Sequence, residues 1–139
     1  MRGMKVKLDE GAYMPVRAHK ADAGLDLRCP IDFIAEAGKA VKIDSGVHVE
    51  IPAGCVGMLK SKSGLNVKYG IVTEGVVDSG YTGSIIVNVF NHGSVDVSFE
   101  RGDKITQLVV VPTVYQDLIR VDDLDETERG ENGFGSSGR

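Results

Sequence analysis

The sequence predicts an all-β single domain, a sandwich, jelly roll or barrel, followed by a flexible C-terminal arm. Three observations carry this. Apolar and polar residues alternate with period 2 in segment after segment. Turn-forming residues fall between those segments at short intervals. After Val121 the chain becomes polar, acidic and then glycine-rich, with Leu124 and Phe134 as its only large hydrophobes. Such a segment buries too little apolar surface to offset the entropy of ordering it. The expected division is a β domain over 1–121 and an arm over 122–139.

"MKVKL" (4–8) alternates and begins the set of strands. "ADAGLDLR" (21–28) reads as a turn followed by a strand. "KAVKID" (39–44) and "VHVEI" (47–51) alternate on either side of the turn "DSG" (44–46), and "PAG" (52–54) closes the second. "SGLNVKYG" (63–70) has the composition for one or two helical turns, with Ser63 near the N-cap. "IIVNVF" (85–90) and "VDVSF" (95–99) are period-2 strands separated by "NHG". After the turn "ERGD" (100–103) comes "LVVVP" (108–112), a continuous apolar run of the kind buried on both faces.

The 139 residues suffice for one real core. Hydrophobic residues at 42% and charged residues at 26% are ordinary for a soluble globular chain. A net charge of −4 argues against nucleic-acid or acidic-membrane binding by bulk charge, so an anionic ligand needs a local cluster of cations. No apolar run reaches the ~18 residues of a membrane span, and a cytoplasmic protein is expected. Cys29 and Cys55 make no disulfide framework and lack metal-ligand spacing, so both read as reduced core thiols. His19, His48 and His92 are scattered and read as structural or exposed.

Five segments carry chemistry-bearing residues. Asp22 and Asp26 flank Gly24 in "ADAGLDLR", which alone is an ordinary turn and strand. In "LKSKSGLNVK" (59–68) Lys60, Lys62 and Lys68 surround Ser61, Ser63 and Gly64, either an anion cradle or a solvated basic loop. In "TEGVVDSGYTGS" (73–84) Asp78 sits among Gly75, Gly80 and Gly83 with Tyr81 nearby, either an Asx turn or a positioned general base. In "FERGDKITQLVVV" (99–111) Gln107 needs hydrogen-bond partners if it faces the core. The tail "RGENGFGSSGR" (129–139) contains G-x-G-x-x-G, but no helix can follow Gly138, so the dinucleotide reading fails. A disordered linker and a mobile lid over a phosphate chain both remain open.

Taken in order, these segments resemble the five motifs of the trimeric deoxyuridine triphosphate nucleotidohydrolases (dUTPases). They are Ala23–Leu27, Lys62–Gly64, Gly75–Gly83, Gly102–Leu108, and Arg129–Gly130 with Gly133–Gly138. The resemblance implies a distorted jelly-roll fold, a homotrimer with shared active sites, and Mg²⁺-dependent hydrolysis of dUTP to dUMP and pyrophosphate. It thereby implies exclusion of uracil from DNA and a supply of dUMP for thymidylate synthesis. It implies Asp78 as the general base, Tyr81 beneath the deoxyribose, and Asp26 holding Mg²⁺ through water. Lys62, Ser63, Gly64 and Gln107 would bind phosphate. Arg129 would clamp the γ-phosphate, Gly135, Ser136 and Ser137 would add donors, and Phe134 would cover the uracil. Uracil itself would be read by main-chain groups of a hairpin leading into Asp78. Lys62 stands where the family usually has Arg, so the planar two-pronged phosphate contact is lost there. The hairpin (69–78) is about one residue short of many relatives, and Asn132 stands where Gly is common. Two alternatives share the fold: a dCTP deaminase, with Glu74 in the nucleobase region, and a non-catalytic protein that binds a regulatory partner.

Overall fold

A computed structural model describes residues 3–138. Met1 and Arg2, at the head of the expected β domain, and Arg139, at the tip of the expected arm, lie outside the described residues. Eleven strands and one short helix are found among the described residues. In chain order they are β1 (Val6–Leu8), β2 (Gly24–Arg28), β3 (Phe33–Ala35), β4 (Ala40–Asp44), β5 (Val47–Val49) and β6 (Cys55–Lys60). Helix α1 (Ser63–Tyr69) follows, then β7 (Ile71–Thr73), β8 (Gly75–Val77), β9 (Ile86–Asn91), β10 (Val97–Phe99) and β11 (Lys104–Pro112).

All pairings are antiparallel. One sheet has the order β2-β11-β6-β8 and another β4-β9-β7; β1 pairs β5, and β3 pairs β10. This is an all-β, jelly-roll-like architecture. The period-2 pattern does what it predicts: Ile43, Val47, Val49, Val87, Val89 and Phe99 face inward and are buried. Each such side chain contributes about 2 kcal/mol by leaving water. The core also holds Thr73 and Thr106, whose hydroxyls bond at 2.7 Å, and Asn91, whose amide donates to the carbonyls of Ala35 and Val95 at 2.9 and 2.8 Å. Buried polar groups are thus satisfied rather than stranded.

Three sequence expectations are corrected. "LVVVP" is not buried on both faces. Leu108 is buried, but Val109, Val110 and Val111 are half-buried. Val110 shares the core face with Leu108 and packs against the core, whereas Val109 and Val111 lie on the opposite face in register with Met58 and the exposed Val76, so it is this outer face that has no covering layer within one chain. Cys29 is a buried free thiol as expected, whereas Cys55 is only half-buried at the start of β6. Finally, residues 69–78 do not form a paired hairpin. β7 is hydrogen-bonded to β9 and β8 to β6, so the chain switches sheets at Glu74. Both strands are therefore sheet edges, each with one side of main-chain groups that its own sheet does not use.

Regular structure ends at Pro112. Tyr115 still touches the domain, its hydroxyl donating to the Cys55 carbonyl at 3.2 Å. Residues 114–138 are exposed throughout. No helix among the described residues is long and apolar enough to cross a membrane.

Candidate active site

The β2-β11-β6 register lines up three candidate residues. Asp26 lies opposite Gln107, and Gln107 lies opposite Lys60, in one row across the sheet. The Asp26 side chain is buried, with only 3% of the residue exposed. Lys62 Nζ donates to one carboxylate oxygen, and Lys104 Nζ lies 3.2 Å from the other. Burial pushes the Asp26 carboxyl up, but hydrogen bonds from Lys62 and then Lys104 outweigh it and hold the group below its ordinary range. A depressed carboxyl pKa stabilises the fold above the unfolded value of about 3.9 and loses that contribution as pH falls through the folded value. The unfolding midpoint in urea is expected to drop below about pH 4. Asp26→Asn is expected to flatten this acid limb. It should cost about 2 kcal/mol at neutral pH, less than for a fully buried pair because the lysines stay partly solvated. Urea melts from pH 3 to 7 check both.

Gln107 solves its partner problem by donating from Nε2 to the Ser61 carbonyl at 3.0 Å. Gly24 makes room for it. A Cβ built on Gly24 would lie 2.1 Å from Gln107 Oε1 and 2.9 Å from Gln107 Cβ. The glycine of "AGLDL" is therefore a close-approach position, and its aspartate is the anchor for two cations.

Lys62 leads straight into α1, where it is the N-cap without a side-chain capping bond. Ser63 is the first helical residue rather than the cap, because Lys62 is the last residue with extended backbone. The first intrahelical bond is Asn66 N–H to the Lys62 carbonyl at 2.9 Å. Amides of the preceding first-turn residues, Ser63 and Gly64 included, have no acceptor within the helix. Ser63 and Gly64 are both exposed.

The second group of candidates follows β8. Val77 is buried and Asp78 is the next residue, exposed. A tight turn follows, with Tyr81 N–H bonded to the Asp78 carbonyl at 3.0 Å. The Tyr81 hydroxyl donates to the Ser84 carbonyl at 2.7 Å. Its ring lies against Gly83, where a Cβ would come within 2.4 Å of the phenolic oxygen. Glycine at 83 is thus required for the ring to lie where it does. Ser84 Oγ donates to the Asp44 carboxylate, and His48 reaches the Thr82 carbonyl. The phenol ring is fixed in place yet 45% exposed.

These two groups do not meet within one chain. Val77 pairs with Gly57, while Gln107 pairs with Lys60. Asp78 is one residue further on, so the two groups are separated by about 13 Å along the strand direction at ~3.3 Å per residue. The tail candidates join neither group. Arg129 Nε donates to the Asn132 carbonyl at 2.8 Å in a local turn, Phe134 is fully exposed, and Gly135, Ser136 and Ser137 are exposed beside it. Glu74 is also on the surface, accepting from Lys60 Nζ at 2.7 Å, and not enclosed in a nucleobase cavity as the deaminase alternative requires.

Sequence reasoning missed Lys104, Asp44 and His48 as members of these groups. Lys104 was within reach, as a cation inside the quoted "GDKITQL". Asp44 and His48 act on residues 40 and 34 positions away, and no local pattern announces that.

The family model for dUTPase matches residues 10–138. The chain belongs to the dUTPase family. It is 42% identical over 136 residues to the deoxyuridine 5'-triphosphate nucleotidohydrolase of Nocardia farcinica, with 95% of this chain and 82% of that relative covered. It is 39% identical over 140 residues to the enzyme of the same name from Clostridium tetani, covering 98% and 97% of the two. Among solved dUTPases, that of Staphylococcus bacteriophage 80alpha with dUPNHPP superposes with a TM-score of 0.94 at 32% identity, covering 100% of both chains. A variant dUTPase of phage phi11, whose structure reveals the coordination of a structural Mg(II) ion, superposes with a TM-score of 0.80 at 30% identity, covering 87% of this chain and 97% of that one.

Proposed function

We propose that this dUTPase-family chain hydrolyses dUTP to dUMP and pyrophosphate at sites assembled between chains of a homotrimer. The observation that carries this reading is the separation of two complementary half-sites on one sheet. One end holds Lys62, Lys104, Gln107 and the first turn of α1, a cluster suited to phosphate oxygens. The other end holds Asp78 and the fixed Tyr81 ring, suited to a base and a sugar platform. A water and an α-phosphorus need both within hydrogen-bond reach, so a second copy must supply the missing half.

In this reading Asp78 accepts a proton from water as the water oxygen bonds to the α-phosphorus. The bond from that phosphorus to the bridging oxygen breaks, and pyrophosphate leaves with the electron pair. Lys62, Ser63, Gly64 and Gln107 hold phosphate oxygens in line for this displacement. The Tyr81 ring packs under the deoxyribose and leaves no room for a 2′-hydroxyl. The arm, taken as residues 122–139, closes over the nucleotide. Arg129 pairs with the γ-phosphate, Phe134 stacks on uracil, and Gly135, Ser136 and Ser137 add donors. The outer edge of β8 supplies main-chain donors and acceptors for uracil, a role the switch of sheets at Glu74 makes available, while on the outer edge of β7 Asn66 takes the Ile71 carbonyl and Ser61 takes both main-chain groups of Thr73.

Mg²⁺ fits this donor set as a water-held ion. Among the described residues no three acidic, histidine or cysteine side chains converge on one position, and Asp26 is an ionised carboxylate beside the phosphate cluster whose two oxygens Lys62 and Lys104 engage in the free chain, so a water-held ion would reach it as a lysine turns to phosphate. An ion carried by the triphosphate that keeps its waters suits a single carboxylate. When bound, it neutralises phosphate charge.

The substrate test is incubation with Mg²⁺ and each deoxynucleoside triphosphate in turn. Pyrophosphate is expected from dUTP alone; ammonia from dCTP would overturn the assignment. The shared-site test is complementation. Asp78→Asn and Gln107→Ala proteins, each inactive, are unfolded together at equal amounts and refolded. Random assembly should return about a quarter of wild-type activity, since one site in four combines two intact halves. Persistent inactivity of the mixture would place each complete site within one chain.

A further inference from the structure

His48 lies on β5 with its side chain 17% exposed. Its Nδ1 is 2.8 Å from the Thr82 carbonyl oxygen, and its Nε2 is 3.0 Å from both carboxylate oxygens of Asp9. A carbonyl and an ionised carboxylate only accept hydrogen bonds. A neutral imidazole donates from one nitrogen and would turn a lone pair toward the other acceptor. Only the imidazolium, with a proton on each nitrogen, satisfies both sides at once.

The acceptor at Nδ1 belongs to the loop that carries Tyr81. That loop is pegged twice. Asp44 takes the Ser84 hydroxyl and, at 2.9 Å, the Gly46 amide, while Ser84 in turn accepts the Tyr81 phenol. His48 takes Thr82, between the tyrosine and the glycine against which its ring lies. Of the two pegs, His48 is the one whose charge changes near neutral pH.

The groups facing it favour the cation. Asp9 approaches from the segment after β1, and Asp44 acts from β4. Lys7, directly across on β1, opposes it. Lys5 and Glu50, in the same groove, form an ion pair at 3.6 Å and largely cancel. The hydrogen bond to Asp9, then that to Thr82, outweighs partial burial and Lys7, so the His48 pKa stands above its ordinary value.

We propose that protonated His48 is a positioning residue for the nucleotide: it clamps Asp9 to the Thr82 carbonyl and so holds the Tyr81 ring where the deoxyribose packs. The proposal deepens the reading of Tyr81 as the sugar platform and rests on it. A raised histidine pKa means the clamp is complete below the unfolded value of about 6.5 and is lost as pH rises through the folded value. Loss of the clamp weakens binding of substrate and transition state alike, so KM rises while kcat holds.

Two measurements test this together. NMR titration of the His48 ring in the nucleotide-free protein is expected to show both nitrogens protonated at neutral pH and a pKa above the ordinary histidine value of about 6.5. Steady-state kinetics across the same pH range are expected to show KM for dUTP rising through that pKa. Asp9→Asn removes the anion but not the ring, and Asp9 is partly exposed, so the variant should fold. It should move the NMR titration and the KM limb to lower pH together, a shift that ionisation of uracil itself does not produce. His48→Gln should raise KM about fivefold at neutral pH with kcat within about threefold, and should remove the limb. A neutral His48 at pH 7, or a KM limb that stays in place in Asp9→Asn, overturns the proposal. If wild-type protein releases no pyrophosphate from dUTP, the functional reading fails. The NMR titration, with exchange of the Thr82 and Gly83 amides in Asp9→Asn, then still decides whether the clamp exists.

Discussion

Asp78→Asn is expected to lower dUTP turnover by about a thousand-fold while leaving nucleotide affinity within about tenfold. The reasons are positional. Asp78 is the first residue beyond a buried strand end, it is exposed, and its main chain is fixed by the turn to Tyr81. Asparagine keeps the size and shape of the side chain and the turn, but cannot take a proton from water. No buried contact is lost, so the thermal midpoint should stay within about 2 °C of wild type. Pyrophosphate release measures turnover, and calorimetric titration with a non-hydrolysable dUTP analogue measures affinity. Equal loss of rate and affinity would make Asp78 a structural residue. The same variant is one half of the complementation experiment, where its loss is reversible by a partner chain.

Deletion of residues 128–139 is expected to leave a folded, trimeric β domain with dUTP turnover reduced about a hundred-fold or more. The last strand ends at Pro112, and residues 114–138 are exposed, so the deletion removes no core contact among the described residues. It removes Arg129, Phe134 and the Ser136–Ser137 hydroxyls together. Far-ultraviolet circular dichroism and sedimentation should be unchanged, while kcat/KM collapses. Phe134→Ala isolates the base stack and should cost about 1–3 kcal/mol in kcat/KM. Its ring is fully exposed in the free chain, so this cost cannot come from lost packing. A truncated protein with full activity would remove the arm from the mechanism. The 18 residues after Val121 can extend up to ~60 Å, enough to reach a neighbouring copy.

Much of the β architecture is legible in the sequence, for a physical reason. A half-buried strand must alternate, and β4, β5 and β9 do so visibly. Strands with weak alternation give no such signal: β3 has three residues, and β6 runs "CVGMLK" with a glycine inside. Gly57 is there because Leu108 and Ile51 press against its face, where a Cβ would lie 2.9 Å from each. That is a tertiary fact with no local signature. The same holds for the site. Asp26, Lys62, Gln107, Asp78 and Tyr81 could be picked out by motif. Their division between two ends of a sheet could not, because it depends on the register of β6 against β8 and β11. The pegs at Asp44 and His48 were hidden in the same way. One looks like part of an ordinary turn and the other like a strand histidine.

The switch of sheets at Glu74 has a bearing on how this protein can change. If selectivity for the nucleobase is vested in the main chain of β8, no side-chain replacement short of proline deletes it. Other point substitutions there can alter the width of the slot but not the pattern of donors and acceptors along its wall. Altered base preference would then demand an insertion, a deletion or the one kind of substitution that removes a main-chain N–H, a change to proline. An inhibitor that bonds to that strand edge would accordingly leave few routes to resistance.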